Sequence, residues 1–409
     1  MIRGVRHSVL LVLSVLWLGS LPASAQAPGY LPGPHPAWEH RDPAAAGFDP
    51  TMLQSAIEFA IASESQSPRD LVLNHDMSFG REPRGDAIGP FSERGPQTGL
   101  IIKNGYIVAE WGEPARVDQT FSVAKSFLST TVGLAVDRGI IRSVDDRLRD
   151  YMPPLVLAEG DGEPGDQGGR RPKLLFESEH NRKITWDHLL RQTSDWEGTL
   201  WGKPEWADRP DRDPSTWLTR ERRDPGTVYE YNDTRVNLLA LAATAVWRKP
   251  LPEVLHEHIM QPIGASTTWQ WHGYDNSWII LNGLQMQAVS GGSHWGGGMF
   301  INAYDQARLG LLTLHEGRWG DHQLVSREWI ERSRVPGSVN PGYGFMNYFL
   351  NTDREMYPSA PAEAWAHRGA GSNIVYVDPV NDLVVVARWI QGNAFDEFIG
   401  RVLAALETR

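Results

Sequence analysis

The chain has 409 residues, a formal net charge of −11 and no cysteine. The lack of cysteine excludes disulfides, thiolate metal sites and a lipid-modified cysteine anchor, and an acidic chain lacks the positive footprint that nucleic-acid binding needs. The length fits one large domain or two intertwined lobes.

The elements follow in chain order. Arg3 and Arg6 precede the apolar run "VLLVLSVLWLG" from Val9 to Gly19, and Ala23 and Ala25 in "LPASAQ" sit at the small-residue positions of a signal-peptidase site. That order predicts a secretory signal peptide over residues 1–25, a mature chain from Gln26, and a periplasmic or secreted protein. The apolar run is shorter than the roughly 20 residues a bilayer needs, so no lasting membrane anchor is expected. Removal of Arg3 and Arg6 takes the charge from −11 to −13.

Residues 26–47 are rich in Pro, Ala and Gly and read as an extended lead-in. A helix follows, with Asp49 as N-cap and Pro50 at its first position. "GLIIKNGYIVAEWG" predicts a hairpin turning at Asn104-Gly105. "SFLSTTVGLAVDRG" is apolar on nearly all sides and predicts a buried helix ending at Gly139. The Gly-rich, charged stretch 158–173 reads as a surface insertion. "ITWDHLLRQTSDW" holds a helix and a turn, and "TRVNLLALAATAVWR" a second helix; between them "EWADRPDRDPSTWLTRERRDPG" is charged and broken by prolines. "SNIVYVDPVNDLVVVARW" predicts a second hairpin, turning at Pro379 to Asp382, and "FDEFIGRVLAALE" a closing amphipathic helix. The expected fold class is α+β, an α/β sandwich. An antiparallel sheet flanked by helices is built from both chain ends (about 48–121 and 290–409). It adjoins a mostly helical lobe (about 122–289).

The chemistry centres on "TFSVAKSFLST", which places Ser122 three residues before Lys125 at the mouth of the buried helix. That spacing puts two side chains on one helix face. A serine hydroxyl attacks only when a base takes its proton. A lysine inside an apolar helix either has a lowered pKa or serves as a charge for another base. An isolated S-x-x-K is also what a capping serine beside a snorkelling lysine looks like, so the pattern alone is only suggestive.

Two more segments carry the reading further. "PGTVYEYND" places Tyr231 just before a helix, and "AHRGAGSNIVYVD" places His367 and Gly369 at the start of a strand. In order, spacing and context the chain resembles the serine β-lactamase-like hydrolases: class C β-lactamases, serine DD-peptidases, related esterases and 6-aminohexanoate-dimer hydrolases. The family's S-x-x-K appears as "SVAK", its Y-x-N as Tyr231-Asn232-Asp233, and its K-T-G as His367-Arg368-Gly369, similar to the H-x-G of the esterase branches. "ITWDHLLRQTSDW" and "WGGGMFINAYDQARLG" resemble flanking family blocks, and the resemblance runs from about Gly99 to the C-terminus. It implies Ser122 as the acylated nucleophile and Lys125 as a proton-transfer group. Tyr231 is then the general base and later the acid. The backbone N–H groups of Ser122 and Ala370 form the oxyanion hole, and His367 and Gly369 shape the strand edge along which substrate lies.

Two positions depart from the family pattern. Asp233 stands where asparagine is usual, and an ionised aspartate offers a substrate carbonyl no hydrogen bond. It is expected to border the substrate, or else only to cap the following helix. It also favours a charged Lys125, which makes Tyr231 the expected base. Arg368 replaces a small hydroxyl residue in the stretch that engages the substrate carboxylate in β-lactamases and DD-peptidases. Both changes favour an ester or amide hydrolase of small or peptide-like substrates. The alternatives are a DD-peptidase, a weak β-lactamase, or an inactive protein that binds cell-wall peptides. No cofactor is implied. No G-x-S-x-G, H-E-x-x-H, Walker or Rossmann pattern occurs, and His188, His258 and His294 are too scattered to argue for a metal.

Overall fold

The computed structural model describes residues 29–157 and 172–407. The expected signal peptide and most of the 158–173 insertion lie outside the described residues. The described part of the lead-in, 29–47, contains neither helix nor strand beyond a single bridge from His40 to Ile107.

The main sheet has six strands, and every neighbouring pair is antiparallel. Their spatial order is Phe349–Leu350, Trp365–Gly369, Asn373–Asp378, Leu383–Arg388, Thr98–Lys103 and Tyr106–Trp111. Both expected hairpins are present. Asn104 and Gly105 take φ of 52° and 85°, the left-handed pair that a two-residue type I′ turn requires. Thr98 pairs with Arg388 and Lys103 with Leu383, so the two chain ends meet at the centre of the sheet.

The strands read as near-continuous apolar runs because both faces of the sheet are covered. Leu100, Ile102, Val375 and Val384 enter a core shared with the helices Ala124–Asp137, Asp233–Trp247 and Ala303–Leu314. Ile101, Ile374, Tyr376 and Val385 point the other way, onto Pro50–Ala62 and Phe395–Ala404. The first of these two outer helices is capped by Asp49, whose carboxylate accepts from the N–H groups of Thr51 and Met52. Each fully buried Val or Leu side chain stabilises by about 1.5–3 kcal/mol. That supply of apolar burial lets the core tolerate a few buried charges.

The middle of the chain is less helical than its sequence suggested. A second sheet orders Asp118–Gln119, Gly298–Ile301, Gln270–Leu281, Leu155–Leu157 and Pro172–Lys173, with Leu284–Val289 pairing beside its longest strand. The long hairpin within it turns at Asn282-Gly283, the same dipeptide signal as at Asn104-Gly105. This sheet matters to the site. Its short strand Asp118–Gln119 leads into Ser122, and Gly298–Ile301 follows directly on the glycine-rich turn that holds His294.

Candidate active site

Ser122 lies in a single 3₁₀ turn, Phe121–Val123, that runs into the buried helix Ala124–Asp137. Phe121, just before it, has φ of 49°. A bulky residue in that region is strained, and such strain collects where surrounding structure fixes a functional group. Ser122 is 9% exposed and Lys125 0%. Lys125 Nζ lies 2.8 Å from Ser122 Oγ and 2.5 Å from Asp233 Oδ1. A side chain on Gly292 would fall on this ion pair, because a Cβ there would lie 1.6 Å from Asp233 Oδ1 and 2.2 Å from Lys125 Nζ.

Tyr231 is half-buried, and Ser122 is near enough to its hydroxyl to lower the phenol's pKa in part. Lys125 Nζ also stands 4.7 Å from its ring centroid. Gln192 holds the Tyr231 backbone from both sides: its carbonyl accepts from Glu230 N–H at 2.9 Å, and its side-chain oxygen from Asn232 N–H at 2.8 Å. A buried ionic network ties the preceding loop down. Asp195 accepts from Arg220 at 2.6 Å and Arg235 at 2.8 Å, and Glu205 from Arg235 at 2.9 Å.

Asp233 does not cap its helix. That role falls to Asn232, whose side chain accepts from Arg235 N–H at 3.1 Å. The Asp233 carboxylate is 1% exposed, with one oxygen bonded to Lys125 Nζ. Its second oxygen accepts from Arg209 Nη1 at 2.9 Å. His294 Nδ1 lies 3.6 Å from the same oxygen, and its Nε2 lies 2.7 Å from Glu82. Asp208 closes the group. It accepts from the Asp233 N–H, pairs with Arg209, and stands 3.6 Å from His294 Nε2. Sequence reasoning passed over Arg209, Asp208, Gln192 and Glu82, and set His294 aside as too scattered from the other histidines to argue for a metal. Besides Asp233, the structure sets Glu82 and Asp208 against His294, and Glu82, Asp208 and His294 form a donor set of the kind that holds a cation. The Asp208 oxygen facing His294 is already bonded by Arg209.

The electrostatics follow from burial set against these partners. Burial pulls Lys125 below the usual lysine range; Asp233 pulls it back up, Arg209 down, and the net direction is downward. Asp233 is held well below the ordinary carboxylate range, because Lys125, Arg209 and His294 outweigh its burial. Burial raises Asp208, with neighbouring Asp233 adding to the shift. Burial raises the Tyr231 phenol as well, and the charge of Asp233 adds to it.

His367 and Gly369 lie on the strand Trp365–Gly369, which packs against the Ser122 turn. A Cβ on Gly369 would stand 2.0 Å from the Thr120 carbonyl oxygen and 3.1 Å from Ser122 N, so only glycine lets the strand end approach the nucleophile this closely. Ala370 follows in the next turn, half-buried. His367 is fully buried against the edge of the Tyr348 ring, and burial pushes its pKa down to about 4. Arg368 lies over the rings of Phe349 and Tyr357, at 5.2 and 5.9 Å.

A sequence model of the Beta-lactamase family matches residues 100–394. The chain belongs to that family. It is 24% identical over 331 residues to the 6-aminohexanoate-dimer hydrolase of Paenarthrobacter ureafaciens, covering 75% of this chain and 77% of that protein. It is 25% identical over 195 residues to a provisionally assigned D-alanyl-D-alanine carboxypeptidase of Escherichia coli O157:H7, covering 40% of this chain and 45% of that one. The chain therefore spans less than half the length of the second relative. Among solved structures, a provisionally assigned β-lactamase of Bacteroides dorei aligns with a TM-score of 0.56 at 17% identity, over 88% of this chain and all of that one (100%). That likeness bears on fold, and the α+β fold of the β-lactamase and penicillin-binding-protein type is shared. The named relatives of this family are hydrolases.

Proposed function

We propose that the chain is an exported serine hydrolase that cleaves ester or amide bonds of small substrates through an acyl-enzyme on Ser122. The observation that carries this reading is the 2.8 Å approach of Lys125 Nζ to Ser122 Oγ at the mouth of a buried helix. Among the described residues no helix is long and apolar enough to cross a membrane. Export rests on the amino-terminal pattern. Amino-terminal sequencing of protein recovered from a bacterial periplasm should begin near Gln26, and a recovered chain that begins at Met1 overturns it.

Lys125, with its lowered pKa, takes the Ser122 proton as Oγ bonds to the substrate carbonyl carbon. The charge that gathers on the carbonyl oxygen meets the N–H groups of Ser122 and Ala370. Tyr231, with its raised pKa, stays protonated at neutral pH and gives its proton to the leaving oxygen or nitrogen as that bond breaks. The Lys125 proton then passes to the phenolate, which restores both groups for the second half of the reaction. Water repeats the sequence on the acyl-enzyme, releasing the acid and restoring Ser122. The sequence-based expectation made Tyr231 the base because Asp233 keeps Lys125 charged. Burial of both groups supports the reverse assignment.

The substrate reading rests on the strand beside the nucleophile. A buried His367 with a pKa of about 4 is neutral at physiological pH, and Arg368 is occupied over aromatic rings. Neither supplies the positive charge that would hold a penicillin or peptide carboxylate there. A fluorophosphonate probe should label the wild type, Ser122→Ala should remain unlabelled, and labelled penicillin should give at most slow labelling. Fast stoichiometric acylation by penicillin would favour the DD-peptidase or β-lactamase alternative. No labelling by either probe would favour a binding protein.

A further inference from the structure

We propose that Arg209 is a positioning residue of this site, holding the outer oxygen of Asp233 and offsetting the charge that this aspartate brings to the buried lysine. The inference rests on the reading of Ser122, Lys125 and Tyr231 as the reacting groups. An asparagine at position 233 would be neutral, and Lys125 would then face no carboxylate. With aspartate there, a full negative charge lies 2.5 Å from Nζ in a place with 0–1% exposure. Unopposed, such a charge fixes the lysine as an ammonium, which has no lone pair to take a serine proton.

Arg209 meets this charge directly. Its Nη1 bonds Asp233 Oδ2 at 2.9 Å, the oxygen that Lys125 leaves free. The same nitrogen bonds Asp208, whose other oxygen accepts the Asp233 backbone N–H. One guanidinium and one backbone contact thus set both the charge and the rotation of the Asp233 carboxylate. The guanidinium also stands over the Tyr231 ring at 5.0 Å and the Phe79 ring at 5.4 Å, which sets its plane. Arg209 has φ of 51°, a strained value for an arginine, and the segment that holds it is anchored by the Glu205 and Asp195 ion pairs. A side chain that is 34% exposed has no need of a strained backbone to reach solvent. The strain is spent on turning the guanidinium inward.

The charged and titratable groups that face the lysine and its partners are few. Ser122 comes from the turn that opens the lysine's own helix, and Tyr231 and Asp233 lie at the start of the helix Asp233–Trp247. Asp208 and Arg209 come from the loop, His294 from the glycine-rich turn with Glu82 behind it, and Tyr343 from the far side. Among the described residues, Arg209 is the cation hydrogen-bonded to Asp233 besides Lys125 itself.

The test is a double-mutant cycle read as the pH dependence of kcat/KM for a neutral nitrophenyl ester, with fluorophosphonate labelling of Ser122 measured in parallel. An opposite charge within reach moves a pKa by about one to three units. Arg209→Gln should therefore raise the apparent pKa of the acid limb by about one unit, because Lys125 then bears the whole of Asp233. Asp233→Asn should lower it by at least as much. In the Asp233→Asn background, Arg209→Gln should move the limb by less than half its shift in the wild type, since its route runs through the carboxylate. Arg209→Lys, which keeps the charge, should recover part of the wild-type limb. A role confined to folding would lower kcat or the melting temperature and leave the limb in place. An unmoved limb in Arg209→Gln, or an equal shift in both backgrounds, overturns the proposal. Wild-type protein that the probe fails to label overturns the serine-hydrolase reading itself, which keeps the two failures apart.

Discussion

Ser122→Ala should abolish hydrolysis of nitrophenyl acetate or butyrate while leaving the fold intact. Loss of a nucleophile that works as a unit with its base costs on the order of 10⁴ to 10⁶ in rate. The stability side follows from the contacts. The hydroxyl meets Lys125 at 2.8 Å and the Gly292 carbonyl at 3.5 Å, a distance at the limit for a hydrogen bond. Its removal leaves Lys125 still paired with Asp233, so no buried charge is stranded. The expected stability change is within about 1 kcal/mol, the worth of one ordinary hydrogen bond. Steady-state turnover and the urea midpoint, measured on the same preparation, check both halves. Wild-type turnover in the variant would show that the chemistry lies elsewhere in the molecule.

What the sequence made legible was local. The two hairpins of the main sheet announce themselves through Asn104-Gly105 and through Pro379 to Asp382. Strands covered on both faces show as unbroken apolar runs, and the Asp49-Pro50 cap marks the start of its helix. The helix after Ser122 is apolar all round because it lies at the centre of the larger core, so a lysine within it stands out. The second sheet was missed although its longest strand turns at Asn282-Gly283. Its partners, Leu155–Leu157 and Gly298–Ile301, are far away in the chain, and pairing at that range leaves no local pattern.

The site divided in the same way. Ser122 and Lys125 share one helix turn, so spacing relates them. Lys125 and Asp233 are 108 positions apart, and nothing local shows that the carboxylate bonds the lysine while Asn232 takes the cap. Arg209 lay hidden in a run of arginines and acids that reads as a solvated loop; only the folded chain separates it from Arg220 and Arg235, which anchor that loop. The order of base and acid depends on environment for a related reason. Asp233 does favour the charged lysine, as the sequence suggested, while burial acts on Lys125 and Tyr231 at once and moves them apart, the amine down and the phenol up.

Lys125→Met should remove activity and stability together, and a second change should return only one of them. Methionine fills much of the same volume and takes no proton, so turnover of a neutral ester should fall by at least 10³-fold, in the range of a lost general base acting with its nucleophile. The variant also leaves a buried carboxylate without its nearest cation. Breaking one side of a buried pair costs about 3–5 kcal/mol; Arg209 and His294 remain beside Asp233, which places the expected loss near the lower end, about 3 kcal/mol. The pH dependence has a definite sign. Asp233 has a folded pKa below its unfolded value, so the stability it gains from its partners is present above the ordinary aspartate range and is lost as pH falls through the folded value. Removing Lys125 weakens that gain, so the gap between variant and wild type should be full at neutral pH and should narrow below about pH 4. Adding Asp233→Leu to Lys125→Met replaces the pair with apolar groups, which restores much of the stability in such cases, yet the double variant should remain inactive. Urea midpoints at about pH 7 and about pH 3, set beside ester turnover, separate the structural share of the ion pair from its chemical share. If Lys125→Met kept turnover within tenfold of the wild type, the lysine would be a structural partner of Asp233 and the proton from Ser122 would have to go to Tyr231.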